Sequence, residues 1–138
     1  MPVIDYYVME LTTLNEVSKV INGSKILIMG LTFKENVSDT RETPVVEIIK
    51  ILKEFKCEIY GYDPFLNKDE ISSFGVIALD NLDNIKFDCV IITVVHDVFK
   101  KIELDDLKAI MGDKPIIIDV RGMFRKVVEK NKIIYRTL

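Results

Sequence analysis

Glycine and proline are scarce in this chain, 6 and 4 among 138 residues, and cysteine is scarcer still at 2. Few glycines and prolines exclude collagen-like and low-complexity architectures. Cys57 and Cys89 have no CxxC partner and lie at the edge of or inside apolar runs, KCEIYGY and DCVIITVV. They read as buried reduced thiols rather than as a disulfide framework. Histidine occurs once, at His96. With only Asp97 beside it, it makes no metal-ligand set, and no nucleophile has an assigned base. No apolar run approaches the roughly 20 residues that cross a bilayer, and no charged-then-apolar leader opens the chain. These absences predict a cytoplasmic protein without a membrane partner, and neither a metal site nor a catalytic residue is assigned.

Charge of one sign is also missing. Lys and Arg number 19 against 22 Asp and Glu, a formal charge of −3, which argues against a nucleic-acid surface. Hydrophobic residues make up 49% and charged residues 30%, enough apolar material for a core that needs no staples. The length suits one domain, and a dehydrogenase with separate cofactor and substrate domains would not fit within it.

What is present is an alternation of apolar patterns. Tyr7, Leu11, Leu14, Val17 and Ile21 recur at helical spacing, so an amphipathic helix is expected over 6–21, stopped by Asn22-Gly23. It could pack on its own domain or be the end of a longer connecting helix. Short apolar runs follow: KILIMG (25–30), CEIYGYDP (57–64), VIA (76–78), DCVIITVV (88–95) and KPIIIDV (114–120), with NKIIYRTL as a closing edge strand. Between them, helices are expected over 44–55, 68–73 and 104–111. Continuous rather than alternating apolar strands indicate a parallel sheet covered on both faces. The fold class is α/β, a Rossmann-like open parallel sheet with helices on both faces, preceded by the amphipathic helix.

In such a sheet the loops after the strands share one edge, where ligands bind. The loop GLTFKENVSDTRETP (30–44) carries Lys34 and Arg41. The second strand ends at Asp63-Pro64, the long central one at Thr93 with His96-Asp97 beyond, and the next at Asp119 with Arg121 following. These sites should face one crevice. Neither GxGxxG nor GxxxxGK[ST] is present, so phosphates would be held by side-chain cations, a lysine as a point contact and an arginine as a fork. Equally, Lys34 and Arg41 could be surface cations paired with Glu35, Asp39 or Glu42. Thr43 and Pro44 fit the cap and first residue of a helix.

The segment ILIMGLTFKENVSDTRETPVVEIIKILKE followed by YGYDP resembles the start of the C-terminal, UDP-binding domain of the UDP-glucose and UDP-N-acetylhexosamine 6-dehydrogenase family. The stretch MP-x3-YYV to INGSK is similar to the end of that family's interdomain, dimerising helix. Thr93, His96 and Asp119-Val120-Arg121 follow in the expected order. The resemblance divides the chain into 1–22, the end of that helix, and 23–138, the Rossmann-like UDP-binding domain. It implies NAD-dependent, two-step oxidation of the C6 alcohol of a nucleotide sugar to a carboxylate, with GxGxxG and the catalytic cysteine supplied by an N-terminal domain. The isolated chain is then expected to be inactive.

By the same resemblance Phe33, Lys34 and Arg121 match residues that contact the UDP-sugar, and Arg41 matches an arginine that reaches NAD across the cleft. Asp39 and Asp119 would orient these cations. Asp63 lies where a Rossmann enzyme holds ribose, but without the glycine loop it is expected to brace the turn. Cys57 and Cys89 do not match the catalytic position. The implied partners are a UDP-sugar, an N-terminal catalytic domain and a second subunit. The GLTFKEN wording resembles the UDP-N-acetylhexosamine branch, including N-acetylmannosamine, more than the UDP-glucose branch. A free-standing nucleotide-binding or regulatory module, and a purely structural domain, remain as alternatives.

Overall fold

Ile26 to Met29 are wholly buried in the first strand, β1 (Lys25–Met29). Its side chains alternate between two hydrophobic layers, as a pleated strand requires. Ile26 and Ile28 join Val45, Ile48, Ile49 and Leu52 on one face, while Leu27 and Met29 join Phe87, Phe99 and Leu107 on the other. A strand covered on both sides has no polar face to display, which is why KILIM is a continuous apolar run. The computed structural model describes residues 23–41, 43–83, 85–126 and 133–137. The helix expected over 6–21, and with it the 1–22 segment, lies outside the described residues.

The remaining strands are β2 (Glu58–Tyr62), β3 (Ile77–Ala78), β4 (Cys89–Ile92), β5 (Ile116–Asp119) and β6 (Ile134–Thr137). They form one six-stranded sheet in the order β3-β2-β1-β4-β5-β6, and every pairing is parallel. Ile28 stands opposite Gly61 on one side and Ile91 on the other. The strand order reverses between β1 and β4, the switch point at which open α/β sheets form ligand crevices.

Helix α1 (Val45–Glu54) buries Val45, Ile48, Ile49 and Leu52, each contributing roughly 1.5–3 kcal/mol of gross burial. It starts one residue later than the sequence suggested. Pro44 holds the cap position with φ −68° and ψ −12°, and the Thr43 hydroxyl accepts a long hydrogen bond, 3.4 Å, from the Val45 N–H. Helix α2 (Lys68–Ser72) is opened by a capping box between Asn67 and Glu70. Helix α3 (Leu104–Ala109) has a reciprocal pair between Glu103 and Asp106. The sequence pattern did not reveal a 3-10 turn over Asp97–Lys101, which buries Phe99 directly after β4. With every strand parallel, the exits of β1, β2, β4 and β5 lie along one edge.

Candidate functional site

The chain leaves β1 through Gly30, whose φ is +98°. A Cβ there would stand 3.0 Å from both Thr93 Oγ1 and the Val94 nitrogen. Glycine is therefore required by handedness and by the close passage of the β4 exit. The Thr93 hydroxyl donates to the Gly30 carbonyl, fastening the two exits together.

Past Gly30 the loop folds over a buried polar centre. Asp63, at the end of β2, and His96, beyond β4, have wholly buried side chains and meet at 3.0 Å between Oδ2 and Nε2. The Leu31 N–H donates to the same Asp63 oxygen at 2.8 Å, and the Phe65 N–H donates to Oδ1 at 2.9 Å. Both carboxylate oxygens are thus engaged inside the protein. Asp63 braces the turn, and its oxygens are not presented to a ribose. His96 accepts the Asn36 N–H at Nδ1, 2.9 Å, and the Thr32 hydroxyl lies 3.4 Å from Nε2. Asn36 has φ +60°, a left-handed conformation that asparagine tolerates better than most residues. Its side-chain oxygen accepts the Asp97 N–H at 2.8 Å. The ring packs against Phe65, tilted at 4.6 Å, and Phe99, edge-on at 5.2 Å, between centroids.

Between these anchors stand Phe33 and Lys34. The Phe33 N–H donates to the Asp39 carbonyl at 2.6 Å, and the Lys34 carbonyl accepts the Thr32 hydroxyl at 2.9 Å. Their backbone is therefore fixed while both residues remain exposed; Phe33 keeps 46% of its surface. The Lys34 ammonium makes no hydrogen bond or ion pair among the described residues. Arg41 is engaged: its Nε and Nη2 donate to the two Asp39 oxygens at 3.1 and 3.0 Å, and its own N–H donates to Oδ1 at 2.9 Å. Chiefly through the side-chain hydrogen bond, Arg41 holds the Asp39 carboxyl down at about 2, and the guanidinium is raised in turn.

The β5 exit forms a separate network. Asp119 is fully buried, and its Oδ2 accepts the Phe124 N–H at 2.8 Å and the Tyr135 hydroxyl at 2.5 Å. Its Oδ1 is buried without a hydrogen-bond partner among the described residues. Burial, followed by the hydrogen bond to Asp119, raises the Tyr135 phenol well above its ordinary range. Arg121 is exposed and makes no hydrogen bond or ion pair among the described residues.

The exits of β1, β2 and β4 are therefore joined by side-chain contacts, whereas the β5 exit is tied to β6. The sequence reading missed His96, Asn36 and Thr32 as the interior of the site. The signal that could have found them was strand order, because β2 and β4 flank β1 and bring Asp63 and His96 under its loop. A concavity of about 480 Å³ opens beside Lys100, Ile102, Leu104, Lys108, Met123 and Phe124; none of the residues singled out from the sequence lines it. Among the described residues no group of three or more His, Cys, Asp or Glu could hold a metal ion, and no helix is long and apolar enough to cross a membrane.

Known proteins resemble this chain in sequence and fold. The profile described as UDP-glucose/GDP-mannose dehydrogenase family, UDP binding domain, matches residues 27–126. A UDP-N-acetyl-D-mannosamine dehydrogenase of Methanococcus maripaludis is 38% identical over 102 residues, covering 72% of this chain and 22% of the relative. A UDP-N-acetyl-D-glucosamine 6-dehydrogenase of Salmonella typhi is 31% identical over 102 residues, 73% of this chain and 24% of the relative. The chain thus spans about a quarter of the length of the curated relatives it matches. Among solved structures, an NDP-N-acetyl-D-galactosaminuronic acid dehydrogenase from Methanosarcina mazei superposes with a TM-score of 0.78 at 21% identity, covering 97% of this chain and 28% of that one, a likeness of fold. With 27–126 matched by the profile and the same parallel sheet beneath it, this chain belongs to the UDP-glucose/GDP-mannose dehydrogenase family through its UDP-binding domain.

Proposed function

We propose that this chain binds the UDP-sugar for an NAD-dependent nucleotide-sugar 6-dehydrogenase, forming one wall of the site in which the C6 alcohol is oxidised in two steps to a carboxylate. The observation that carries this reading is the pair of exposed cations, Lys34 after β1 and Arg121 after β5, on one sheet edge and in no hydrogen bond or ion pair among the described residues. Arg41, on the same loop as Lys34, is by contrast shared with Asp39. Two exposed cations on this edge, neither in an ion pair among the described residues, suit a diphosphate, the lysine as a point charge and the arginine as a fork. One strand, β4, separates β1 from β5, a span of about 10 Å at the usual spacing between strands. Phe33 adds an exposed ring beside Lys34.

The residues present fit NAD only at the margin. The exit of β1 has no glycine-rich cradle, and Asp63 has both oxygens engaged. Arg41 is exposed, and Asp39 takes only part of its fork, leaving N–H groups for a pyrophosphate or ribose. NAD, when bound, supplies the hydride acceptor. Arg41 would contact it from this side, with Asp39 holding the guanidinium in place. A partner domain carrying the GxGxxG loop and the catalytic cysteine would supply the opposite wall, and pairing of two subunits through the 1–22 segment completes the assembly in the cytoplasm. Closing the two walls would exclude water from the chemistry. The GLTFKEN segment supports a UDP-N-acetylhexosamine, including N-acetylmannosamine, ahead of UDP-glucose as the ligand.

Calorimetric titration of UDP into the wild-type chain, Lys34→Ala and Arg121→Ala tests the binding half. Each variant should bind at least tenfold more weakly than wild type. Unchanged binding in both, or no binding in the wild type, would overturn the assignment.

A further inference from the structure

The nucleotide-sugar reading uses the exposed face of the 30–44 loop and leaves its buried underside without a role. That underside contains the sole histidine of the sequence, His96, with a wholly buried ring. Each ring nitrogen has a defined neighbour. Nδ1 faces the Asn36 N–H at 2.9 Å. A backbone N–H can only donate, so Nδ1 must accept and carries no proton. Nε2 faces Asp63 Oδ2 at 3.0 Å, and a carboxylate can only accept, so the ring proton resides on Nε2. The contact is consequently a hydrogen bond from a neutral imidazole to a carboxylate rather than an ion pair, with the tautomer set from both sides.

The same contacts clasp the loop. Asn36 presents its N–H to His96 and its side-chain oxygen to the Asp97 N–H, 2.8 Å, so residues 96–97 grip it at two points. Asp63 holds Leu31 at the loop's start, 2.8 Å. The six residues from Leu31 to Asn36, which include Phe33 and Lys34, are therefore anchored at each end to one buried Asp63–His96 unit. The charged groups nearest this unit are few. Asp97 is exposed and paired with Lys100 at 3.0 Å, while Phe65 and Phe99 pack against the ring.

We propose that His96, held by Asp63 as the Nε2–H tautomer, is a positioning residue that sets the placement of Phe33 and Lys34 for ligand binding. Its effect on binding rests on the nucleotide-sugar reading; its tautomer and its grip on Asn36 do not. Fixing the loop before the ligand arrives removes an ordering cost from binding, so loosening it should weaken affinity although His96 is itself out of the ligand's reach.

The tautomer can be read directly, because with one histidine the long-range ¹H–¹⁵N spectrum of the imidazole contains a single ring system. The expected result is a protonated Nε2 and a bare, accepting Nδ1; a proton on Nδ1 would overturn the proposal. Binding is then measured by UDP calorimetry. His96→Leu, which removes both ring contacts, should weaken UDP binding about tenfold and expose the Asn36 amide to hydrogen exchange. His96→Asn, whose side-chain oxygen can replace Nδ1 as the acceptor, should recover most of the affinity, a rescue that general loss of stability would not produce. Should His96→Leu fail to fold, Asn36→Gly keeps the left-handed backbone and the N–H but loses the hold on Asp97. It should bind about threefold more weakly. If wild type binds UDP and folded His96→Leu binds equally well, positioning by His96 is refuted while the binding function stands; equal binding by Asn36→Gly would refute the second grip point at Asp97. If wild type does not bind UDP, the nucleotide reading falls and positioning for that ligand falls with it; ring tautomer and Asn36 exchange still decide whether the grip exists.

Discussion

The Tyr135 hydroxyl donates to Asp119 Oδ2 across 2.5 Å, joining β6 to the buried carboxylate at the exit of β5. The Phe124 N–H is the other donor to that oxygen, and Oδ1 has none among the described residues. Among the described residues Asp119 is therefore short of donors, so removing one should be felt. Tyr135→Phe should lower stability by about 2 kcal/mol, the usual cost of stripping a partner from a buried polar group. Chemical denaturation of wild type and variant would check it; a difference below about 0.5 kcal/mol would mean the bond contributes little.

Asp39 and Arg41 make a prediction about acid. The carboxyl is held at about 2, below its ordinary 3.8, chiefly by the arginine side chain. A depressed folded-state value means that its stabilising contribution is present above pH 3.8 and lost as the pH falls through about 2. In a carboxyl-carbon NMR titration, Asp39 should be among the last side chains to protonate. Arg41→Ala should return its midpoint toward the ordinary range. An unchanged midpoint in that variant would show that the solution loop does not hold the fork.

Much of this fold is readable from strings such as KILIM, CVII and IIID, because a strand buried on both faces must be apolar throughout. The edge assignment of the exits follows from parallel pairing alone. What could not be read is which polar residues turn inward. Asp63 and His96 are 33 residues apart in sequence, and each by itself is an ordinary loop residue. They meet because β2 and β4 lie on either side of β1. Likewise Asp119 precedes Arg121 by two positions and invites the expectation that it orients that arginine, yet its Oδ2 receives Phe124 and Tyr135. The Tyr135 contact depends on β6 pairing beside β5, which the DVR triplet does not encode.

Gly30 provides a test of the switch point itself. Its φ of +98° is costly for any residue with a Cβ, and that atom would also meet Thr93 Oγ1 and the Val94 backbone nitrogen at 3.0 Å. Backbone atoms cannot swing aside as a flexible side chain can. Gly30→Ala should therefore destabilise the domain by at least about 2 kcal/mol, several degrees in Tm for a chain of this size. A Tm within one degree of wild type would mean that the β1 and β4 exits are less closely packed than described.

Arg121 allows geometry to be separated from charge. If it serves UDP only as a positive charge, Arg121→Lys should bind like wild type, because the ammonium supplies the same formal charge. If the planar fork matters, lysine forfeits the bidentate contact and keeps the Coulomb attraction. The exposed position and the lack of a protein partner among the described residues leave both N–H edges of the guanidinium open to a diphosphate. Affinity for UDP should accordingly fall in the order wild type, Arg121→Lys, Arg121→Ala, with the lysine variant about threefold to tenfold weaker than wild type. All three should weaken with added salt, the alanine variant least, because it has one phosphate-neutralising charge fewer. Equal affinities for arginine and lysine would assign Arg121 a purely electrostatic part, and equal affinities for all three would remove it from the site.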